Sequence, residues 1–393
     1  MSRPLTIAVV CYPGLGGSGV VASELALGLA VRGHKIHIVA SALPERLQAL
    51  NGHAIEFEEV EVPTSPVFEH GPYDVAVASH LIEVCRRAPI DLVHLHYAVP
   101  HAASALMVGR VLGAAAPAMV TTLHGTDVTR LGSHPSLHAV TSYALAVCDG
   151  LTAPSQYLRT LAAERFELPA ERIEVITNFV DLERFSPPAA RDRAELAALF
   201  PGRPPAHSDG PILFHVSNLR PIKRPLDLID VLVRVRRTLP ARVVLVGDGP
   251  ERDAVAARAR ELGVGDSVCL LGRRDDFAGL LRHADGFVLP SESEGFGVAA
   301  LEAMAAGVPV FGYDVGGLPE VVTEGTGTLV PCCDVDALAA AVIAGVGDRA
   351  TRDAMGRAAR ARAEQGFGRD VAVMRYETYF RHVLARRAHG GSL

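Results

Sequence analysis

Two successive series of short apolar runs, each followed by a longer helical pattern, restrict the possible fold of this chain most strongly. The first series predicts strands over Leu5–Val10, Ile36–Ala40, Ile55–Val60, Leu92–Leu95, Met119–Leu123, Leu151–Ala153 and Ile173–Ile176. The second predicts strands over Ile212–Val216, Val243–Val246, Val268–Leu271, Gly286–Leu289, Val308–Gly312 and Thr328–Val330. Strands that alternate with helices in this way indicate parallel, doubly wound sheets. Because the chain has 393 residues and single cores rarely grow beyond ~250–300 residues, we expect two such α/β domains.

A polar, proline-rich stretch separates the two series. Its prolines are Pro187, Pro188, Pro201, Pro204, Pro205 and Pro211. We predict a short helix near Arg193–Leu199 within it, and otherwise a connection between domains. The expected division is an N-terminal domain over residues 1–186, a linker over 187–211 and a C-terminal domain over 212–371.

Composition and charge exclude several classes of function. A net charge of −6, 5% aromatic residues and no Trp argue against nucleic acid as a partner. Adjacent Cys332 and Cys333 suit neither a zinc site nor a disulfide framework, so the six cysteines are expected to be reduced thiols in a cytoplasmic protein. The N-terminus reads as a first strand rather than a signal peptide. The apolar stretch Ala102–Val120 is interrupted by Arg110 and Pro117, so no membrane span is expected.

The most specific local pattern lies between residues 291 and 304. Glu294 and Glu302 bracket seven residues, and Gly295-Phe296-Gly297 follows the first glutamate directly. Glycines allow the backbone to approach a ligand closely, and the start of a helix offers free N–H groups to phosphate oxygens. A carboxylate beside such a cradle accepts hydrogen bonds from hydroxyl groups, such as those of a sugar or a ribose. The pattern therefore predicts a nucleotide-sugar site, with an ordinary loop and an amphipathic helix that carries two solvated glutamates as the alternative.

A glycine-rich segment, Pro13–Val21, follows the first predicted strand and precedes a helical run over Ala22–Arg32. Its glycines are Gly14, Gly16, Gly17 and Gly19. No acidic residue closes a second strand near position 40, so NAD binding is not expected. The segment can bind an anion through backbone N–H groups and the Ser18 hydroxyl. A tight strand–helix turn without a ligand is the alternative.

Polar side chains also follow the fourth and fifth predicted strands. The ligands of open α/β sheets lie beyond the carboxyl ends of the strands, so Tyr97 and Thr122 are predicted to line an acceptor site, with His124 against a donor sugar. A metal site is the alternative, but the spacing matches no metal signature and none is expected. The residues that raise this alternative are His94, His96, His124 and Asp127.

Two cations close the first strand of the second series. Arg220 and Lys223 lie three residues apart in a loop that leads into a helix. Together they can neutralise a nucleotide diphosphate and stabilise it as it leaves. Solvated surface charge is the alternative.

The spacing of Glu294 and Glu302, with Gly-Phe-Gly after the first, resembles the Glu-x7-Glu signature of family 4 retaining glycosyltransferases. Five further stretches resemble one subgroup of that family. They are Cys11–Pro13, Gly16–Ala22, His94–Ala98, Leu123–Thr129 and Val216–Arg220. The resemblance covers nearly the whole chain. It implies the GT-B fold, with two doubly wound Rossmann-like domains facing across a cleft and a final helix over 372–393 packed on the N-terminal domain.

The subgroup implies transfer of N-acetylglucosamine from UDP-N-acetylglucosamine to the hydroxyl of L-malate, with retention and without a cofactor, as the first step of bacillithiol biosynthesis. It implies that Glu294 orients the sugar, that His124 contacts its 6-hydroxyl, and that Arg220 and Lys223 stabilise departing UDP. The implied donor-binding residues are Gly17, Asn218, Arg220, Lys223, Arg273, Glu294, Gly295, Phe296, Gly297 and Glu302. The implied acceptor-binding residues are Gly16, Ser18, Tyr97 and Thr122.

Other readings remain open. The acceptor could be inositol phosphate, a sugar or a lipid, although a phosphorylated acceptor requires additional cations near Tyr97 and Thr122. A GT-B-fold UDP-N-acetylglucosamine 2-epimerase needs no acceptor. A non-catalytic nucleotide-sugar-binding protein would be expected to lack Glu294, Arg220 or Lys223. A membrane-surface role for the arginine-rich C-terminal segment is not favoured, and a homodimer is possible.

Overall fold

The computed structural model describes residues 3–14, 17–47, 54–64, 66–67, 70–200 and 210–389. The chain forms two compact units. One comprises Met1–Asn178 together with Arg369–Leu393, and the other comprises Phe179–Gly368. Each unit contains one parallel β-sheet with helices between successive strands. The predicted α/β class with two Rossmann-like halves is confirmed.

The first unit holds a seven-stranded sheet in the order β3-β2-β1-β4-β5-β6-β7. Its strands are β1 Thr6–Val10, β2 Lys35–Ala40, β3 Ile55–Glu59, β4 Leu92–His96, β5 Ala118–Thr122, β6 Gly150–Ala153 and β7 Ile173–Val175. Its helices are α1 Gly17–Val31, α2 Tyr73–Arg87, α3 Ala103–Leu112, α4 Pro135–Val147, α5 Gln156–Arg165 and, near the far end of the chain, α14 Arg369–Ala388. Each strand predicted from the first series is found within one residue at either end.

The second unit holds a six-stranded sheet in the order β10-β9-β8-β11-β12-β13. Its strands are β8 Ile212–Val216, β9 Arg242–Val246, β10 Val268–Leu270, β11 Gly286–Leu289, β12 Val310–Tyr313 and β13 Gly327–Val330. Its helices are α6 Ala194–Ala198, α7 Pro225–Val235, α8 Arg252–Glu261, α9 Ala278–Leu281, α10 Val298–Ala305, α11 Leu318–Val321, α12 Val335–Val346 and α13 Arg349–Gly366. The short helix predicted near Arg193–Leu199 is α6.

The strands form sheets because their residues are apolar on both faces, as strands covered by helices on both sides require. In the first sheet Ile7 of β1 lies opposite Ile36 of β2 and Leu92 of β4, and all three side chains are buried. The strand order reverses between β1 and β4, and again between β8 and β11 of the second sheet. Loops that leave the carboxyl ends of strands at such a reversal form the usual ligand crevice of this architecture. These two edges therefore carry the candidate sites.

The C-terminal helix α14 belongs to the first unit. A Cβ at Gly28 of α1 would lie 2.4 Å from Val373 Cγ2, so the glycine allows close contact between the two helices. Tyr376 and Phe380 of α14 are buried in this unit. The arginines of α14 are partly engaged, since Arg387 donates to the carbonyls of Ala116 and Pro117 and pairs with Asp149.

The range 187–211, which the sequence indicates as a linker, lies within the second unit, and its residues 201–209 lie outside the described part of the chain. Arg193 pairs with the buried carboxylate of Asp285, which also accepts a hydrogen bond from Arg352. These ion pairs join the segment to the sheet and to α13.

One window of the described chain, Ala98–Ala115, has the length and hydropathy of a membrane-spanning helix. It is not a continuous helix, because Val99 has extended backbone angles (φ −123°, ψ 129°). Gly113 then ends α3 with a φ of +56°. Ala102, Ala105 and Val108 pack in the core of the first unit. These three residues of the window thus belong to the core of an α/β unit.

Candidate functional site

The glycine segment opens α1 at the carboxyl end of β1. Gly17 is exposed at the first position of the helix, where backbone N–H groups have no intrahelical partner. The half-buried Ser18 hydroxyl makes no hydrogen bond within the described residues, and predicted Gly16 lies outside them. A Cβ at Gly19 would lie 2.2 Å from the carbonyl oxygen of Gly14. Glycine is therefore required at position 19 by the turn itself.

Aromatic side chains lie beside this segment. The ring of Tyr97, which follows β4, meets the partly exposed Tyr12 ring edge-on with centroids 5.6 Å apart. The Tyr97 ring also lies 5.0 Å from the His124 ring. Tyr97 has a φ of +89°, a region that non-glycine residues rarely occupy. The structure thus brings predicted residues Tyr97 and His124 together, and it adds Tyr12.

Four histidines line the carboxyl end of β4 and β5. His96 Nδ1 lies 2.9 Å from His124 Nε2, and His101 Nδ1 donates to the carbonyl of His96. Burial lowers the pKa of His94 to about 3, of His101 to about 4 and of His124 to about 3. Burial also holds the pKa of His96 well below its ordinary value. All four imidazoles are therefore neutral at pH 7 and can only exchange hydrogen bonds.

Asp127, which raised the metal alternative, ties two loops together. Its buried carboxylate accepts hydrogen bonds from the backbone N–H groups of His124 at 3.0 Å, Gly125 at 2.8 Å and Ala98 at 3.0 Å. Three such bonds compensate the burial of a carboxylate. Asp127 thereby holds the loop that carries His124 against the segment that follows Tyr97.

Thr122 lies away from the surface. Its side chain is completely buried, and its Oγ1 lies 2.6 Å from Thr152 Oγ1 and 2.7 Å from His94 Nε2. The hydroxyl of Tyr376 is 3.4 Å away. A direct contact with an acceptor would need an exposed hydroxyl, so this placement supports a structural role between β5, β6 and α14. The sequence pattern places Thr122 at a strand end but does not show which way its side chain points.

In the second unit, Lys223 and Glu294 meet at the reversal between β8 and β11. Lys223 Nζ lies 2.7 Å from Glu294 Oε1, and the Ser291 hydroxyl donates to the same oxygen at 2.7 Å. The Glu292 N–H donates to the Ile222 carbonyl at 2.9 Å and joins the two loops. Glu294 Oε2 has no partner within the described residues and is not sealed from solvent. One carboxylate oxygen is therefore held by the protein and the other is open.

A chain of hydrogen bonds supports the loop after β8. The buried His215 donates from Nδ1 to the Val288 carbonyl at 2.8 Å and accepts at Nε2 from the Ser217 hydroxyl, also at 2.8 Å. Ser217 Oγ in turn accepts from the Leu219 N–H at 3.2 Å. Burial lowers the pKa of His215 to about 4, which suits a neutral acceptor. Sequence reasoning missed this role of His215, although a histidine in an apolar strand is a detectable signal.

The loop supported by His215 presents Asn218 and Arg220 at the surface. Both side chains are exposed, and the Arg220 guanidinium makes no hydrogen bond or ion pair within the described residues. Arg273, which follows β10, is also exposed without such a partner. A Cβ at Gly247 would lie 1.7 Å from the Ser217 carbonyl oxygen, so the loops after β8 and β9 touch backbone to backbone.

Gly316 and Gly317, which sequence reasoning missed, hold the backbone of Glu294. Gly316 has a φ of +59°, and a Cβ there would lie 2.0 Å from the Glu294 carbonyl oxygen. The Gly317 N–H donates to that oxygen at 2.9 Å. Two glycines just after a predicted strand were the signal that could have found them.

In the predicted Gly-Phe-Gly segment, Gly297 contributes backbone at the start of a helix, whereas the Phe296 side chain belongs to the core. Gly297 has a φ of +99° at the start of α10, where the first N–H groups lack intrahelical partners. The Phe296 ring is buried against Phe367, with centroids 5.8 Å apart. Only the backbone of Phe296, and not its ring, is therefore available to a nucleotide-sugar donor. Glu302 lies further along α10 and is also largely buried.

Two family models match the chain, one in each half. Residues 15–184 match the model described as Glycosyltransferase Family 4, and residues 200–362 match the model described as Glycosyl transferases group 1. The chain is 39% identical to the N-acetyl-alpha-D-glucosaminyl L-malate synthase of Bacillus anthracis over 389 residues. This alignment covers 98% of this chain and 99% of that protein.

Two further similarities are informative. A D-inositol 3-phosphate glycosyltransferase of Kribbella flavida is 38% identical over 217 residues, which cover 51% of this chain and 49% of that protein. The crystal structure of the Anabaena protein HepE in complex with UDP-glucose matches with a TM-score of 0.80 at 21% identity, over 96% of this chain and 100% of that chain. The structural similarity agrees with the GT-B fold class.

Proposed function

Because the chain belongs to the family 4 glycosyltransferases, we propose that it transfers N-acetylglucosamine from UDP-N-acetylglucosamine to the hydroxyl of L-malate, as the first step of bacillithiol biosynthesis. The observation that carries this proposal is the similarity to the Bacillus anthracis synthase along almost the full length of both chains. Its name supplies the transferred sugar and the acceptor. The similarity to HepE, which binds UDP-glucose, is compatible with a UDP-linked donor.

The donor is assigned to the second unit. Arg220 and Lys223 would neutralise the diphosphate, with the open N–H groups at the start of α10 as additional donors. Arg220 suits this role because its guanidinium is exposed and makes no ion pair within the described residues. Asn218 and Arg273 lie in the loops after β8 and β10 and would flank the nucleotide. Glu302 would accept hydrogen bonds from ribose hydroxyls.

Glu294 is assigned to the sugar. Because Lys223 and Ser291 both bind Oε1, the open Oε2 remains to accept hydrogen bonds from sugar hydroxyls. Lys223 also keeps this carboxylate paired, which lowers the cost of its burial. The same lysine thus serves two partners, Glu294 in the free protein and the diphosphate when the donor is bound.

The first unit is assigned to the acceptor. Malate carries two carboxylates, and an anion would be suited by the first N–H groups of α1 at Gly17 together with the Ser18 hydroxyl, which has no hydrogen-bond partner in the described part of the chain. Tyr97 would line the same region. His124, which burial keeps neutral, would give the sugar 6-hydroxyl a hydrogen bond without adding charge.

The proposed reaction retains the anomeric configuration and uses no protein nucleophile. The bond between the anomeric carbon and the UDP oxygen breaks as the bond to the malate oxygen forms on the same face. The malate hydroxyl proton passes to a phosphate oxygen of the departing UDP. Arg220 and Lys223 stabilise the charge that grows on the β-phosphate. This stabilisation accelerates the step only if it is stronger in the transition state than in the complex with bound substrates.

The test is UDP release from UDP-N-acetylglucosamine by the full chain, with L-malate, with inositol 3-phosphate or with no acceptor. The expected result is release that depends on malate and is unaffected by EDTA. The partial similarity to the inositol-phosphate enzyme makes that acceptor the second candidate. Preference for inositol 3-phosphate would overturn the malate assignment and keep the family. Turnover without any acceptor would overturn the transferase assignment.

A further inference from the structure

Two adjacent thiols lie on the surface of the second unit. Cys332 and Cys333 follow β13, both are exposed, and their Sγ atoms are 3.1 Å apart. Cys333 has a φ of +66°, in the left-handed region that non-glycine residues seldom occupy. The turn therefore presents two sulfurs side by side, ahead of the helix that Asp334 caps.

The thiol pair lies on the edge of the sheet that carries the proposed donor residues. It follows the carboxyl end of β13, as Glu294 follows that of β11. Arg224 and Glu292 lie close enough to influence the pKa of the Cys332 thiol. Arg224 adjoins Lys223, and Glu292 lies two positions before Glu294. A group bound to both thiols would thus lie at the same carboxyl edge of the sheet as the two loops that the Lys223–Glu294 contact joins.

We propose that Cys332 and Cys333 form a two-sulfur binding site for trivalent arsenicals, and that filling this site blocks the glycosyl transfer. The first statement depends only on the thiol pair, and the second rests on the proposed function. A trivalent arsenic centre binds its ligands in a pyramid and joins two sulfurs at close to a right angle, which suits sulfurs already in contact. A soft cation that holds two thiolates on opposite sides does not fit two neighbouring residues.

The step balances without an oxidant. An arsine oxide, R–As=O, reacts with the two thiols to give R–As(S)₂ and one molecule of water, which takes both thiol protons and the oxygen. Partial desolvation and the hydrogen bond with the neighbouring Cys333 thiol raise the pKa of Cys332 to about 11, so this thiol is protonated at pH 7. Reactions that require a free thiolate are therefore slow at Cys332. Capture by two sulfurs at once distinguishes the site from an ordinary reactive cysteine.

The experiment adds one equivalent of phenylarsine oxide to the full chain at pH 7 and measures intact mass and UDP release. We expect a single phenylarsenic adduct and loss of most of the UDP release. 2,3-Dimercaptopropanol should reverse both effects, and 2-mercaptoethanol should not. Cys332→Ser and Cys333→Ser should each lose the adduct and keep their activity in its presence. Cys269→Ser, which removes a half-buried thiol elsewhere on the sheet, is the matched control and should behave as the parent chain does.

Each other outcome contradicts a defined part of the proposal. No adduct on the parent chain, or an adduct that persists in both single variants, overturns the site. An adduct that leaves UDP release unchanged overturns the inhibition and keeps the site. A chain that releases no UDP under any condition contradicts the proposed function, and the mass measurement then still tests the site.

Discussion

Lys223 and Glu294 lie 71 positions apart in the sequence, yet the lysine Nζ is 2.7 Å from the carboxylate Oε1. The contact joins the loop after β8 to the loop after β11, the two strands between which the order of the second sheet reverses. Ser291 occupies the same carboxylate oxygen. The second oxygen, Oε2, has no hydrogen-bond partner among the residues that the structure describes.

Glu294→Gln should impair turnover far more than stability. The amide keeps the size of the side chain but loses the charge that pairs with Lys223 and the acceptor capacity of Oε2. We expect kcat for UDP release to fall about a hundredfold to a thousandfold, with a change in Tm below ~4 °C. Glu292→Gln, which alters an exposed carboxylate two positions away, is the control and should retain full activity. Equal kcat values for the two variants would contradict the donor assignment.

Arg220→Ala and Arg224→Ala should separate binding from stability. Arg220 is exposed without a partner in the described residues, so its removal should change the free energy of unfolding by less than ~0.5 kcal/mol. The same change should lower kcat/KM about a hundredfold or more. Arg224 donates to Asp227 at 2.7 and 3.1 Å, so its removal should cost about 1–3 kcal/mol. Urea unfolding and UDP-release kinetics measure the two effects, and the reverse pattern would contradict the assignment.

Gly316→Ala should displace Glu294 through the backbone. The added Cβ would lie 2.0 Å from the Glu294 carbonyl oxygen, at a residue with φ of +59°, where a side chain costs about 1–2 kcal/mol before any steric clash. We expect lower stability together with lower activity. Gly279→Ala, an exposed helical position with nothing within 4 Å, is the control and should stabilise by about 0.5–1 kcal/mol. A fully active Gly316→Ala variant would show that the Gly316 contact does not position Glu294.

His94→Gln should weaken the acid sensitivity of the first unit. Burial lowers the pKa of His94 to about 3, whereas the unfolded chain binds the proton near its ordinary value of about 6.5. Between these two pKa values the unfolded state therefore binds more protons at this histidine than the folded state does. The stabilising contribution is complete above pH ~6.5 and is lost toward the folded pKa, at about 1.4 kcal/mol per pH unit.

Urea unfolding measured by tyrosine fluorescence between pH ~6 and ~4 tests how steeply the free energy of unfolding changes with pH. Of the eight tyrosines, only Tyr313 lies in the second unit, so the signal reports mainly on the first. The parent chain should lose stability more steeply than His94→Gln. Identical slopes for the parent chain and His94→Gln would contradict a neutral, buried His94.

The local sequence pattern was sufficient to predict the fold and the loop that carries Arg220 and Lys223. Buried strands between helices are continuous apolar runs, so their positions were readable from the chain, and the parallel sheets followed. Arg220 and Lys223 share one loop because they are three residues apart. The roles of all the site residues stay predictions, but their positions at the carboxyl edges of two sheets follow from the strand order.

Side-chain direction was the part that local pattern could not supply. Thr122 ends a strand, as a ligand contact would, yet its hydroxyl lies inside the first unit with Thr152 and His94. Phe296 adjoins Glu294, yet its ring packs on Phe367. In both cases neighbouring positions in the chain point to different surroundings, and distant residues decide which side is buried.

The two α/β halves, the likeness to family 4 and the loops that carry polar residues all follow from the amino-acid sequence, because periodicity and short spacings depend only on neighbouring residues. The tertiary structure alone decided that Lys223 pairs with Glu294, that Gly316 lies against the Glu294 backbone, and that His215 supports the Arg220 loop through Ser217 and Leu219. Each of these contacts joins loops from different strands. Their geometry depends on strand order and packing, which no short stretch of sequence contains.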